Sequence, residues 1–303
     1  MTSILSRVAI ALIDMPGAAD SAPPACPVCL AVDSTRYCRK QQAQYFICGK
    51  CDLIFQHPLP TSLSMARWAD AEYASGAYHD YVAARPMKLR HFEQRLDEIG
   101  DLVESGRLLD VGCSCGYFLE VAAARGFDVH GVEFSRSAIA AARSDIQPRI
   151  FEGRLEDMPD KGLFDIVSAF DLIEHVHNPR AFLRRCAGRL KPDGVLLIST
   201  PDTGHFLRFL MRSRWPMLQP MQHLSLFSRK ALESALRAEG FERVRIATGY
   251  KTLTVDYLVN QIKPLNPMLS RALGTVTRVV PSSVLRKYRR INIGEMLAVG
   301  RRS

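Results

Sequence analysis

From residue 107 onward, short apolar runs alternate with stretches whose apolar residues recur every three to four positions, and this pattern predicts strands interleaved with helices. The first strand of the series is expected at Arg107 to Val111. A short turn follows, and then a helix from Tyr117, whose Phe118, Leu119, Val121 and Ala122 keep a period near 3.6. A second strand, Val129 to Val132, ends at Glu133. A third, Phe164 to Phe170, leads into Asp171, Leu172, Ile173, Glu174 and His175. Asn178 is placed to cap a helix entered through Pro179 and running to Leu190, where Lys191-Pro192-Asp193-Gly194 stops it. Strand Val195 to Ser199 completes the central series, and two late apolar runs, Arg243 to Thr248 and Glu295 to Gly300, predict the last two strands. Strands alternating with helices indicate an α/β, doubly wound architecture.

The turn between the first strand and its helix carries the densest chemistry. Gly112, Ser114 and Gly116 leave little side chain between Asp110 and the helix, so backbone amides at the helix start can approach a ligand closely. Glu133 stands 23 residues after Asp110, at the tip of the next strand, where a carboxylate can accept hydrogen bonds from ribose hydroxyls. This spacing suits a nucleoside cofactor. The loop by itself fits equally well a turn whose small residues serve only close packing.

Four of the eight cysteines form Cys26-x-x-Cys29 and Cys48-x-x-Cys51, with 18 residues between the pairs. Two such knuckles supply four thiolates to one tetrahedral zinc, as in a zinc ribbon, and four thiolates leave no open position for water or substrate. The expected zinc is therefore structural. A disulfide or redox pair is the competing reading of the same spacing.

Composition adds two limits. No apolar run reaches the ~18 residues of a membrane span. The net charge of +9 is uneven: from residue 204 onward eighteen lysines and arginines face five acids, which leaves the first 203 residues slightly acidic. Two segments, Phe206 to Met221 and Pro267 to Arg290, interleave apolar and basic residues. They suit a phosphate-bearing acceptor, an anionic membrane surface or RNA, and equally a solvated face whose arginines lie over apolar surface. Residues 1–24 read as a leader without fixed structure; the acid at Asp14 interrupts its apolar stretch, and the thiolate-rich pattern after it argues for a reducing, cytoplasmic setting.

With LLDVGCSCGYF at 108–118, GVEFS at 131–135, GRLEDMP at 153–159, FDIVSAFDLIEHVHNP at 164–179, LKPDGVLLISTPD at 190–202 and HLSLFSRKALESALRAEGFE at 223–242, the chain resembles class I S-adenosylmethionine-dependent methyltransferases. Within that class it is most similar to the branch of ubiquinone-pathway O-methyltransferases and glycan-modifying relatives. The resemblance implies a seven-stranded, mostly parallel Rossmann-like sheet whose final strand is antiparallel. It implies that Asp110, Gly112 and Gly116 line the methionine end of the cofactor and that Glu133 holds the ribose. Phe134, Leu155 and Glu156 would flank the adenine. Phe170 and Asp171 would lie beside the sulfonium and open toward the acceptor. The family usually has glycine where Ser114 stands, which adds a side chain near the cofactor carboxylate.

The reaction needs an acceptor aligned for in-line attack and, for a hydroxyl, removal of a proton. Glu174, His175 and His223 are the candidate catalytic residues. By resemblance to small-RNA 2′-O-methyltransferases, Asp171, Glu174, His175 and His223 are also a candidate set for a divalent ion, Asp171 and Glu174 being spaced for one helical turn. The expected organisation is a leader (1–24), zinc ribbon (25–60), helical lid (61–106) with Tyr73, Tyr78 and Tyr81, cofactor-binding core (107–250), basic cap (251–292) and final strand (293–303). The expected acceptor is a small molecule or glycan, the latter including lipid-linked forms, methylated at oxygen. RNA methylation is second and a non-catalytic cofactor-binding module third. Peripheral contact with the inner membrane surface fits the basic segments.

Overall fold

The computed structural model describes residues 23–41, 43–61, 64–65, 81–255, 257, 281 and 285–303. Residues 1–22 of the expected leader, Tyr73, Tyr78 and most of the expected cap lie outside the described residues.

The N-terminal strands are β1 (Ser34–Lys40), β2 (Ala43–Cys48) and β3 (Ile54–Gln56), followed by helix α1 (Arg85–Asp97). The core then runs β4 (Arg107–Val111), α2 (Tyr117–Ala124), β5 (Asp128–Glu133), α3 (Arg136–Ala140), β6 (Ile150–Glu152), β7 (Phe164–Phe170), α4 (Pro179–Arg189) and β8 (Leu190–Pro201). It closes with α5 (Phe206–Met211), β9 (Ser225–Leu226), α6 (Arg229–Ala238), β10 (Phe241–Leu253) and β11 (Arg289–Arg302).

Seven strands form one sheet in the order β10-β11-β8-β7-β4-β5-β6. Strands β6, β5, β4, β7 and β8 are parallel neighbours, whereas β11 pairs antiparallel with both β8 and β10. The interior strands are buried on both faces, which is why RLLDV and FDIVSAF read as nearly continuous apolar runs. On one face Phe118, Leu119, Ile166 and Leu197 pack with Leu96 of α1. On the other, Leu109, Val167, Leu183 and Ile198 pack with Leu232 and Leu236 of α6. The chain leaves β4 toward β5 and β6, then returns to the opposite side of β4 for β7. A topological switch point therefore lies between β4 and β7, and ligands of such sheets bind outside the carboxyl ends of the strands there.

The structure corrects several expected boundaries. β8 begins at Leu190, not Val195, because Leu190 pairs with Phe164 before residues 191–194 bulge out and Val195 resumes opposite Ile166. β10 and β11 are both longer than the apolar runs suggested. They stay paired with each other past the end of β8, Lys251 with Ile291 and Leu253 with Arg289, where polar and basic residues replace the apolar run. Helix α1 ends at Asp97, so Ile99 is buried from the following turn instead of from the helix.

The N-terminal segment is less separate than its sequence suggested. β1, β2 and β3 form a second, antiparallel sheet whose fourth strand, β9, comes from the core: Ile54 pairs with Leu226 and Phe55 with Ser225. Cys26, Phe46, Leu53 and Phe55 share one buried cluster with Phe227 and Leu232. No helix among the described residues is long and apolar enough to cross a membrane.

Candidate functional site

At the switch point the β4–α2 turn holds three residues in the left-handed region: Gly112 (φ 73°), Ser114 (φ 51°) and Gly116 (φ 68°). A side chain at Gly116 would meet Ile146 Cγ2 at 2.8 Å, and one at Gly112 would press on Leu172. Gly112 N donates to Val132 O at 2.8 Å, which ties the turn to β5. The Glu133 carboxylate accepts from Ser114 N at 3.0 Å and from Ser135 N at 2.8 Å, one oxygen each. Burial raises the Glu133 pKa, and these amides partly oppose that shift. Each oxygen keeps a lone pair for a ligand hydroxyl.

Asp110 is buried and accepts from Ser168 Oγ at 2.7 Å; burial pushes its pKa up to about 7. The ring of Phe134, 61% exposed at the end of β5, is free to lie on a flat ligand. Leu155 is buried and Glu156 exposed, as a loop flanking such a ligand requires. Tyr81 covers the turn from the other side, stacked on Tyr117 at 5.8 Å and hydrogen-bonded to the Ser114 side chain.

These groups fit S-adenosylmethionine: a paired-amide carboxylate for ribose, an open ring for adenine, and a buried acid facing a cationic amino acid. Phe170 stands at the end of β7. Its ring packs edge-on against Phe118 at 4.9 Å and tilted against Phe92 at 5.6 Å, and the residue remains partly exposed.

Beyond β7, the 3₁₀ turn Ile173–His175 brings Glu174 and His175 against His223, with one ligating atom from each lying within 4.8 Å of the others. Glu174 is buried and accepts from Thr200 Oγ1 at 2.9 Å, and burial followed by the charge of Asp171 pushes its pKa up to about 8. His175 Nδ1 donates to Gln222 O at 2.9 Å and His223 Nδ1 to Met217 O at 2.7 Å. These bonds fix the proton on Nδ1, so that in the neutral imidazoles Nε2 carries the lone pair. Burial lowers both pKa values, that of His223 to about 3. A base this weak takes a proton poorly, whereas a neutral imidazole anchored through its other nitrogen is what a metal ion needs. One carboxylate and two imidazoles suit a divalent transition ion with open positions.

Asp171 does not join this cluster. It sits at φ 49°, outside any helical turn, and its carboxylate bonds Lys251 Nζ at 2.5 Å and Ser199 Oγ at 3.2 Å. The expectation of Asp171 as a fourth ligand fails for that reason. Burial raises its pKa, but the Lys251 ammonium, with Lys88 and His91 behind it, outweighs this and leaves it well below the usual carboxylate range. Lys251 also contacts Glu295 at 3.0 Å, and Glu295 pairs with buried Arg95 of α1. Arg95, Lys251 and Glu295 were not singled out from the sequence. The lone acid in the apolar run GEMLAVG was the one available signal for them.

Cys26, Cys29, Cys48 and Cys51 come together as expected. Sγ separations of 3.5 Å for Cys26–Cys51 and for Cys29–Cys48 approach the ~3.8 Å that tetrahedral zinc with bonds of about 2.3 Å requires. Amides of Val28 and Cys29 point at the Cys26 sulfur, and those of Lys50 and Cys51 at the Cys48 sulfur, which stabilises thiolates. None of the eight cysteines is in a disulfide, and the sulfur separations are those of a ligand set, not of an S–S bond.

The family model described as "Methyltransferase domain" matches residues 81–246. Among curated proteins the chain is 33% identical over 141 residues to a ubiquinone biosynthesis O-methyltransferase of Xanthomonas axonopodis pv. citri, covering 44% of this chain and 56% of that protein. It is 36% identical over 121 residues to the protein of that name from Bradyrhizobium diazoefficiens, covering 38% and 47%. The matched region thus spans about half the length of these relatives. Among solved structures, a SAM-dependent methyltransferase from Thermotoga maritima superposes with a TM-score of 0.51 at 18% identity, covering 78% of this chain and 99% of that one. A methyltransferase in an activator complex from Haloferax volcanii gives 0.51 at 16% identity, covering 76% and 97%. At these identities the structures speak for the fold alone.

Proposed function

Because this chain belongs to the methyltransferase-domain family, we propose that it transfers a methyl group from S-adenosylmethionine to a hydroxyl oxygen of a small-molecule or glycan acceptor. The observation that carries this reading is the neighbourhood of two sites: the left-handed turn with Glu133 at the ends of β4 and β5, and the Glu174–His175–His223 cluster just after β7.

The cofactor, when bound, supplies a methyl group already activated on a sulfonium. The protein's part is then to hold the ribose through Glu133, to hold the amino-acid end near Asp110, and to aim an acceptor oxygen along the line of attack. Tyr81, Tyr117 and the aromatic wall of Phe92, Phe118 and Phe170 exclude water on one side. Glu174, His175 and His223 would hold a divalent ion, whose chemistry there would be to lower the pKa of an acceptor hydroxyl. A cleft of about 500 Å³ beyond the carboxyl end of β8, lined by Asp202, His205, Phe206, Asn292 and Glu295 among others, gives room for the acceptor. Oxygen as the target is supported by the O-methyltransferase names of the curated relatives. The Cys26–Cys51 cluster would hold a structural zinc.

The test is transfer of labelled methyl from S-adenosylmethionine into fractionated extract, with and without nuclease and chelator. The proposal expects nuclease-resistant label in a small-molecule, glycan or lipid fraction, lost on chelation and restored by a divalent ion. Nuclease-sensitive label, or none in any fraction, would overturn it.

A further inference from the structure

Where α1 meets the outer ends of β10 and β11, a cleft of about 370 Å³ is walled by Arg90, Arg286, Lys287, Arg289 and Arg290, and no acid lines it among the described residues. Arg290 is paired with Glu98 and lies over the Tyr250 ring. Arg90, Lys287 and Arg289 have no carboxylate partner among the described residues. Arg90 lies over the face of Tyr288 at 5.2 Å, an arrangement that fixes the guanidinium while leaving its N–H edges open. A concentration of like charge around a concave surface focuses a positive potential into it, at a cost in mutual repulsion that an anion would relieve.

The floor of the cleft connects it to the site described above. Thr252 Oγ1 bonds Gln94 Oε1 at 2.5 Å, and Thr252 N donates to His91 Nδ1 at 3.4 Å. His91 lies in the field of Asp171 and Lys251, and Lys251 adjoins Thr252 on β10. The cations therefore stand at the outer end of a path that leads along α1 to the end of β7.

We propose that this cleft binds a phosphate or diphosphate group, and that it anchors an acceptor carrying one while the hydroxyl to be methylated reaches the Glu174–His175–His223 end. The anchoring role rests on the methyl-transfer reading, whereas the anion site does not. Guanidinium forks match phosphate oxygens in pairs, and the cleft's volume suits a discrete ligand group. The lining residues surround a concave surface of one ligand group's size, so the phosphate we infer belongs to a molecule that can insert it: a phosphorylated small molecule or the exposed diphosphate of a lipid-linked one.

The experiment titrates inorganic pyrophosphate into the full chain at about 0.1 M salt, in parallel with S-adenosylmethionine, for the wild type and for Arg90→Ala/Arg289→Ala. Saturable pyrophosphate binding is expected, weakened at least about tenfold in the double variant, with S-adenosylmethionine affinity unchanged. Arg90→Lys/Arg289→Lys should restore part of it. Absent binding, or binding indifferent to the double substitution, would overturn the inference. So would capture by phosphatidylglycerol vesicles or by RNA that depends on these arginines and is not displaced by pyrophosphate. Pyrophosphate that binds while S-adenosylmethionine does not would sink the methyl-transfer reading and leave the anion site standing; the reverse result would sink the anion site alone. Competition by a soluble nucleoside diphosphate against a diphosphate lipid in detergent distinguishes the two sources.

Discussion

Ser114 shows how much of the site depends on single backbone angles. A serine at φ 51° carries strain that glycine would not, and it is held there by the bond from its amide to Glu133 and by Tyr81 against its hydroxyl. Gly116 has less latitude, because at φ 68° a Cβ both strains the backbone and strikes Ile146. Gly116→Ala should cost about 1–3 kcal/mol in chemical denaturation and weaken cofactor binding by calorimetry. Asp110 gives a pH signature. With its folded pKa near 7 against 3.8 when free, the ligand-free chain loses stability from this group as pH rises from about 4 toward 7. A cationic ligand favours the ionised form, so affinity for S-adenosylmethionine should rise as pH passes up through about 7, and Asp110→Asn should flatten that dependence. Of the residue-scale chemistry, the four cysteines were legible because each pair is local to one turn and the two pairs repeat the same spacing, and the places of Asp110 and Glu133 were legible because each lies at or next to the end of a strand. The Lys251 bond to Asp171, and the long reach from Arg95 to Glu295, were not, because nothing in a local pattern ties residues so far apart.

At the scale of elements, β9 matters out of proportion to its two residues. It pairs with β3, and Leu224 just before it donates to Glu174 O at 2.8 Å, while Ser228 just after it donates to Cys51 O at 2.8 Å. The thiolate cluster and the Glu174–His175–His223 cluster are thus fixed to one short segment. Cys48→Ser should release zinc, measured by atomic absorption, and should also lower methyl transfer more than it lowers cofactor affinity. Equal loss of both would show that the ribbon acts only through global stability. So short a strand has no periodicity to read, which is why the N-terminal sheet looked self-contained in sequence. The α1–β11 contact is a second such case: Arg95 and Glu295 are both nearly fully buried, so Arg95→Met should destabilise the chain by roughly 3 kcal/mol in urea denaturation. The double variant Arg95→Met/Glu295→Leu should recover part of that loss. Strands β4, β5 and β7, by contrast, were legible within a residue, since each is a short apolar run bounded by turn residues; β8, β10 and β11 were read too short, and β6, with three residues, has no pattern to read.

The whole molecule is a seven-stranded sheet whose switch point, loop and flanking acids suit one class of ligand, with a cysteine-rich sheet packed against one side and a basic rim on another. The antiparallel final strand was legible only through the family resemblance, and the order of the strands was not read at all, because pairing leaves no mark on a single strand's pattern. The central claim is that S-adenosylmethionine occupies the crevice between β4 and β7, and calorimetric titration of the full chain with S-adenosylmethionine tests it most directly, using the wild type, Gly112→Val and Glu133→Ala. The account predicts saturable binding to the wild type, lost in Gly112→Val and weakened about tenfold or more in Glu133→Ala, where hydrogen bonds to a charged acceptor disappear. Absence of binding to a folded wild-type chain, or binding that both substitutions leave unchanged, would contradict it.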